Sequence, residues 1–365
     1  MSRGQAPGHV RSGQLWIESL SPWPRDGFGL GRIRALLAAL GDPQRAYPAV
    51  HVVGTNGKTT ATRTIAALLR TEGLRVGAYT SPHVSGWHER IDGDPATFER
   101  AVARVRQAAE RLGATQFEAL TAAALAEFRA QRVDVAVVEA GLGGRYDATN
   151  VLDAAVVFLT NVGLEHTDVL GSTRDAIARE KLAVAGPGAV VVLGEPEWRP
   201  LVEGNQVVVG DARSAAEAFL GRPVEHRVDV HVPGRLDRRS DAELWDGAHT
   251  PEGVAWLLER LPPREWVVLA SILADKRVDD VLELLARAGD TLVATRSSSP
   301  RALPAEELAE RARAHFRRVE TLPDPARARE RALELGPTLV TGSLYLLADL
   351  FAILGDAPCL SPVRA

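Results

Sequence analysis

His51-Val52-Val53-Gly54-Thr55-Asn56-Gly57-Lys58-Thr59 is the stretch on which the reading of this chain turns. A short apolar run enters a glycine loop, a lysine and a hydroxyl residue follow, and an alanine-rich helical pattern continues through Leu69. Strand, loop and helix in that order make a phosphate site. The glycines let backbone N–H groups close on phosphate oxygens, and the helix N-terminus faces the anion. In such a loop Lys58 reaches the terminal phosphates and the Thr59 hydroxyl holds Mg²⁺. Val52 stands where the pattern G-x-x-x-x-G-K-[ST] has its first glycine, so only the shorter G-x-x-G-K-T is present. A tight turn with an exposed lysine gives the same string; the strand before it and the helix after it favour the nucleotide.

Outward from that stretch, strands and helices alternate. Arg75–Tyr79, Val133–Val138, Ala154–Leu159 and Ala189–Leu193 read as short buried strands. Leu15–Leu20, Gly31–Leu40, Phe98–Arg111, Glu118–Ala130 and Thr173–Ala183 have helical periodicity. The alternation predicts an α/β fold with a parallel sheet covered on both faces. Ligands of such sheets lie beyond the carboxyl ends of the strands, and Gly54, Ser81, Glu139 and Asn161 each follow such an end. From Gly221 to Arg239 the pattern loosens into Pro, Gly and charge, which reads as a linker. A second alternation follows, with strands at Glu243–Trp245, Trp266–Ala270, Thr291–Ala294 and Thr338–Val340. Its helices start at Pro251 and cover Val278–Ala288, Pro304–Phe316 and Leu344–Leu354. The expected division is a parallel-sheet ATPase domain over 1–225 and a smaller, Rossmann-like α/β domain over 226–365.

The chain's 365 residues exceed one ordinary core, and its 45% hydrophobic content can fill two. A net charge of −4 argues against non-specific nucleic-acid binding, and the arginines are spread through helical stretches. Cys359 is the single cysteine, so an internal disulfide is excluded. No leader-like apolar segment and no run long enough to cross a bilayer is present, which predicts a soluble, cytoplasmic protein. Residues 1–12 are polar and expected to be mobile.

Several segments together resemble the folylpolyglutamate synthase/dihydrofolate synthase enzymes of the Mur ligase superfamily. They are Gly54-Thr55-Asn56-Gly57-Lys58, Ser81-Pro82-His83 with Glu89-Arg90, and the long run Glu139-Ala140-Gly141-Leu142-Gly143-Gly144-Arg145-Tyr146-Asp147-Ala148-Thr149-Asn150. Gly163–Asp168, Arg179-Glu180-Lys181, Pro233-Gly234-Arg235, Asp246-Gly247-Ala248-His249 and Asp275-Lys276 continue the match through most of the chain. The resemblance implies an ATP-dependent ligase that activates a carboxylate as an acyl phosphate, which the amine of L-glutamate then attacks. It implies small-molecule substrates (dihydropteroate or a reduced folate), two Mg²⁺ sites, no nucleic-acid or membrane partner, and a monomer.

The resemblance also assigns residues. Gly54–Thr60, with Lys58 and Thr60, bind ATP, joined by Arg235 and Asp246 from the second domain. Thr59, Ser81, Glu139 and His166 arrange magnesium. Lys181 matches a lysine that is carbamylated into an anionic ligand for a second ion, and His249 sits near the transferring phosphate. Lys276 meets a phosphate or the glutamate carboxylate. Thr115, Gln116, Phe117 and Glu118, with Tyr146, Asp147 and Ala148, line the pterin pocket. Phe117 is suited to stack on a flat ring and Glu118 to accept from its amino groups. Thr115 and Glu118 also have the spacing of a capping box, and both roles can hold. His83 and His88 read as structural. If the ATP residues of both domains form one site, domain closure completes it and shields the acyl phosphate from water.

The match has departures. Lys58 runs directly into Thr59 without the family's intervening glycine, Thr250 follows Asp-Gly-Ala-His where the family has asparagine, and Leu201–Asp241 is short. Asp211 falls where an adenine-side asparagine is expected. These departures leave open an enzyme that makes dihydrofolate without extending glutamate chains. Of the competing readings, a peptidoglycan-type Mur ligase needs a UDP-binding domain of about a hundred residues before the loop, and only 53 residues precede Gly54. A kinase or GTPase switch would not need glutamate for turnover, and an inactive nucleotide-binding scaffold would not need Lys58, Glu139, His166 and His249.

Overall fold

A computed structural model describes residues 12–24, 27–91 and 93–354. Cys359 and most of the polar N-terminal segment lie outside the described residues. Contacts divide the chain into two units, one ending in Trp87–Val230, the other made of Val84–Gly86 and the chain from His231 onward.

The first unit runs α1 (Ser12–Ser19), α2 (Gly31–Ala39), β1 (Ala49–Val53), α3 (Lys58–Thr71), β2 (Val76–Tyr79), α4 (Pro95–Leu112), α5 (Gln116–Gln131), β3 (Val135–Glu139) and β4 (Ala154–Leu159). It continues through α6 (Thr167–Leu170), α7 (Arg174–Leu182), β5 (Val190–Leu193), β6 (Gln206–Val209) and α8 (Ala212–Leu220). Its sheet has the order β2-β3-β1-β4-β5-β6 and is parallel throughout. All five residues of β1 and of β3 are buried, as strands covered on both faces must be. One face packs Val50, Val52, Val137 and Phe158 against Ile65 and Leu69 of α3 and Ala215 of α8. The other packs Val53, Val157 and Leu159 against Ile177 and Leu182 of α7 and Trp198. A third cluster joins α1, α2, α4 and α5 through Ile17, Leu37, Val102, Leu120 and Phe128.

Because β1 lies between β3 and β4, the loops leaving three neighbouring strands meet at one end of the sheet. This is the place the strand pattern reserves for ligands.

The second unit runs β7 (Asp237–Ser240), β8 (Glu243–Trp245), α9 (Pro251–Leu258), β9 (Val267–Ala270), α10 (Val278–Leu285), β10 (Thr291–Ala294) and α11 (Ala305–Ala312). It ends with β11 (Arg318–Thr321), α12 (Pro325–Leu335), β12 (Thr338–Thr341) and α13 (Leu344–Leu354). Its sheet order is β11-β10-β9-β12-β8-β7. Five strands are parallel; β7 pairs antiparallel with β8, which departs from an all-parallel reading. That strand begins at the end of the stretch read as linker. Val84 is buried in this unit's core with Trp245, Leu347 and Phe351.

Candidate active site

The loop after β1 is held open by its glycines. Gly54 has φ +149°, and a Cβ there would lie 1.9 Å from Thr160 Oγ1, so no larger residue fits between the two strand ends. Gly57, in the left-handed region, is the N-cap of α3, and no side chain caps the first N–H groups of that helix. Those amides and the helix dipole therefore remain for an anion.

The neighbouring loop clamps this one. Thr55 N–H donates to Asn161 O at 3.0 Å, Asn56 N–H to Asn161 Oδ1 at 2.9 Å, and Thr160 Oγ1 to Asn56 O at 2.8 Å. Gly163 N–H donates to Thr55 Oγ1 at 2.9 Å. Lys58 Nζ donates to Thr55 O at 3.1 Å, and Lys181 Nζ to Gly54 O at 2.8 Å. Lys181 is buried. Burial, and next the positive charge of Lys58, push its ammonium down to about 7. An amine so placed is largely neutral just above neutrality, the form that adds carbon dioxide.

Glu139 ends β3 at 1% exposure, and its carboxylate ties three strand ends together. Its Oε1 accepts from the Thr59 hydroxyl at 3.0 Å and its Oε2 from Ser81 N–H at 3.0 Å. A buried carboxylate with two hydroxyl residues beside it is a set of hard oxygen donors, the kind Mg²⁺ and Mn²⁺ take. The residues present therefore fit a divalent cation at the foot of the phosphate loop. Among the described residues no group of three His, Cys, Asp or Glu side chains gathers; Glu139 supplies the carboxylate, beside the hydroxyl residues Thr59 and Ser81. His166, in left-handed conformation ahead of α6, is half-exposed, with Nε2 3.8 Å from Glu165 Oε1. Its loop reaches the phosphate loop through Gly163. Thr60 is exposed on α3.

The segments expected around the pterin show mixed duties. Thr115 and Glu118 form a full capping box at the start of α5. Glu118 Oε2 accepts from Thr115 N–H and Oγ1, each at 2.8 Å, and pairs with Arg32 Nε at 2.8 Å. Gln116 Nε2 donates to Ile17 O at 3.0 Å. Phe117 stands 6.1 Å from the Tyr79 ring and covers Gly141 so closely that a Cβ there would lie 2.5 Å from it. Asp147 is buried and shapes the glycine-rich loop, accepting from Leu142 N–H at 2.7 Å and Thr149 N–H at 2.9 Å. Burial pushes its carboxyl up, and these hydrogen bonds pull it back. Tyr146 is exposed and Ala148 buried.

In the second unit, Asp246 follows β8 and is buried. It accepts from Leu236 N–H and Ala248 N–H, each at 2.8 Å. Burial raises its carboxyl and the Arg235 charge opposes that rise. His249 Nδ1 donates to Gly247 O at 2.8 Å, which puts the acceptor lone pair of the neutral ring on Nε2. Lys276 lies in the turn after β9, its N–H on Leu273 O at 3.1 Å. Asp211 caps α8, accepting from Arg213 and Ser214 N–H at 2.9 and 3.1 Å.

The sequence reading gave no role to three residues that the structure ties to these loops. His51 Nε2 is 2.8 Å from Thr149 Oγ1, and that hydroxyl bonds Asp147. Arg90 Nε donates to His83 Nδ1 at 3.0 Å.

Known proteins share this arrangement. Residues 52–187 match the Mur ligase middle domain and residues 234–344 the Mur ligase glutamate ligase domain. The dihydrofolate synthase/folylpolyglutamate synthase of Mycobacterium tuberculosis is 34% identical over 79% of this chain and 78% of its own. The chain belongs to the dihydrofolate synthase/folylpolyglutamate synthase family. Solved members superpose over nearly the whole length. E. coli FolC in complex with DHPP and ADP has a TM-score of 0.82 at 26% identity, covering 93% of this chain and 96% of its own. The bifunctional enzyme of Yersinia pestis complexed with AMPPNP and Mn ion has a TM-score of 0.81 at 27% identity, covering 96% and 100%. As a member of this family the chain is an ATP-dependent ligase.

Proposed function

We propose that this ligase joins L-glutamate to dihydropteroate and to reduced folates, with ATP and a divalent cation as cofactors. The observation that carries the reading is the Thr59–Glu139 hydrogen bond, which sets a buried carboxylate directly at the phosphate loop. A carboxylate oxygen of the folate-type substrate attacks the γ-phosphorus of ATP and ADP leaves. The glutamate amine then attacks the acyl carbon, phosphate leaves, and the nitrogen gives up a proton.

Lys58 and the loop N–H groups bind the phosphates in this scheme. Thr59, Ser81, Glu139 and His166 hold the first cation, which neutralises phosphate charge when bound. Lys181, once carbamylated, serves a second. Arg235 and Asp246 bind ATP, His249 acts near the γ-phosphate, and Lys276 meets a phosphate or glutamate. The residues Thr115–Glu118 and Tyr146–Ala148 recognise the pterin. We assign the enzyme to the cytoplasm, as a monomer; domain limits of 1–225 and 226–365 go with this reading.

The test is ADP release with dihydropteroate or tetrahydrofolate, each with and without glutamate. The reading expects release to require both a folate-type acid and glutamate. Release that needs neither would point to a nucleotide switch instead.

A further inference from the structure

Arg90 is a cation whose guanidinium touches His83 and Trp87, with the charges of Glu139 and Glu89 nearby. Thr80 N–H donates to Arg90 O at 3.1 Å and Tyr79 bridges to Ile91, so the returning turn Trp87–Arg90 lies beside the carboxyl end of β2, next to Ser81. Its Nε donates to His83 Nδ1, its guanidinium carbon stands 5.1 Å from the Trp87 ring centre, and the Trp87 and His83 rings meet tilted, 4.3 Å apart. Among the described residues the groups that touch this guanidinium are neutral: an imidazole, an indole and the hydroxyl of Tyr79. Other partly buried arginines of the chain have carboxylates, Arg32 with Glu118 at 2.8 Å and Arg329 with Glu243 at 2.6 Å.

A desolvated cation held this rigidly calls for an anion. Glu139 and Glu89 lie within electrostatic reach, and Glu139 also accepts from the Thr59 hydroxyl and Ser81 N–H. On another side Tyr79 meets Phe117, which covers Gly141. Tyr79 thus links the cation to the aromatic ring of Phe117, and both lie by the carboxyl ends of β2 and β3, where Glu139 stands. A flat aromatic acid satisfies all three: ring toward Phe117, carboxylate toward Arg90, and a carboxylate oxygen on the side of Thr59 and Glu139.

From this juxtaposition we infer that Arg90 holds the reacting carboxylate of the folate-type substrate before phosphoryl transfer. The inference rests on the ligase reading above and adds the group that recognises the acid. Arg90 gives up no proton and forms no covalent bond; it fixes the carboxylate by charge-assisted hydrogen bonds.

The test compares wild type with Arg90→Gln and Arg90→Lys, using dihydropteroate as substrate and its carboxamide analogue as inhibitor. Arg90→Gln is expected to raise KM for dihydropteroate at least ~10-fold, the loss of one charged hydrogen bond, with KM for ATP nearly unchanged. Wild type should bind the acid in preference to the amide; Arg90→Gln should erase that preference and Arg90→Lys, which lacks the fork, should reduce it severalfold. The Lys variant decides the matter if the Gln variant does not fold. An unchanged acid preference in the variants, or an altered ATP and Mg²⁺ requirement with dihydropteroate KM unmoved, overturns the inference, since Arg90 would then only balance Glu139. Wild-type enzyme that shows no glutamate-dependent ADP release overturns the ligase reading itself, whatever Arg90 does.

Discussion

Glu139 and Asp246 are alike in position and unlike in their bonds. Each is a buried carboxylate at the carboxyl end of a strand in a parallel array. Glu139 accepts from a hydroxyl in the first turn of α3 and from an amide just after β2. Asp246 accepts from two backbone amides close to it in the chain. A hydroxyl can turn and give its oxygen to a cation, whereas an amide cannot. The first carboxylate is therefore arranged for exchange with a cation, and the amide bonds of the second hold its loop in shape.

The largest effect should come from the loop that Glu139 serves. Lys58→Ala is expected to lower glutamate-dependent ADP release by roughly 100–1,000-fold, the scale of losing a positioned charge stabiliser. The melting temperature should stay close to wild type, because Lys58 is only half-buried. Wild-type turnover in that variant would contradict the assignment.

His51 extends the comparison to stability. Burial holds its imidazole down to about 4, so the folded protein resists a proton that the unfolded chain takes near 6.5. The stability tied to this residue is complete above pH 6.5 and is lost as pH falls from 6.5 to 4, amounting to about 3 kcal/mol. Denaturant titrations across that range should show a shallower pH slope in His51→Gln than in wild type. Parallel slopes would remove His51 from the account.

Asp246→Asn should cost less in catalysis than Lys58→Ala and more in folding. Its new NH₂ faces a backbone N–H, so about 1–3 kcal/mol of stability should be lost. Urea unfolding reads this directly, and an unaltered midpoint would mean that the loop does not depend on the charge. The smallest effect belongs to Thr115→Ala, about 1 kcal/mol from the capping box. If KM for dihydropteroate also rises, Thr115 serves substrate as well as helix; if only stability moves, the cap is its whole duty.

The strands that build the site were readable in advance, because β1, β3 and β4 are largely apolar runs buried at every position but Ala155. Ala154–Leu159 and Thr291–Ala294 fall on the residues expected. The edges were not. Gln206–Val209 and Arg318–Thr321 are half-exposed strands without a strong pattern, and the arginine-rich helix Pro325–Leu335 buries little beyond Ala328 and Ala332. At the site, Lys58 and Glu139 announce themselves by local motif. His51 and Thr149 are 98 residues apart, and a contact made only by folding leaves no trace in spacing. Arg90 stood within a recognised segment, but its direct contacts with His83 and Trp87 are a fact of three dimensions.

The most direct test is Mn²⁺ binding followed by electron paramagnetic resonance in the presence of AMPPNP. The account predicts a nucleotide-dependent Mn²⁺ site in wild type, weakened at least ~10-fold in Glu139→Gln, where a hard anionic ligand is gone. Equal Mn²⁺ affinity in the wild-type and Glu139→Gln proteins would contradict it.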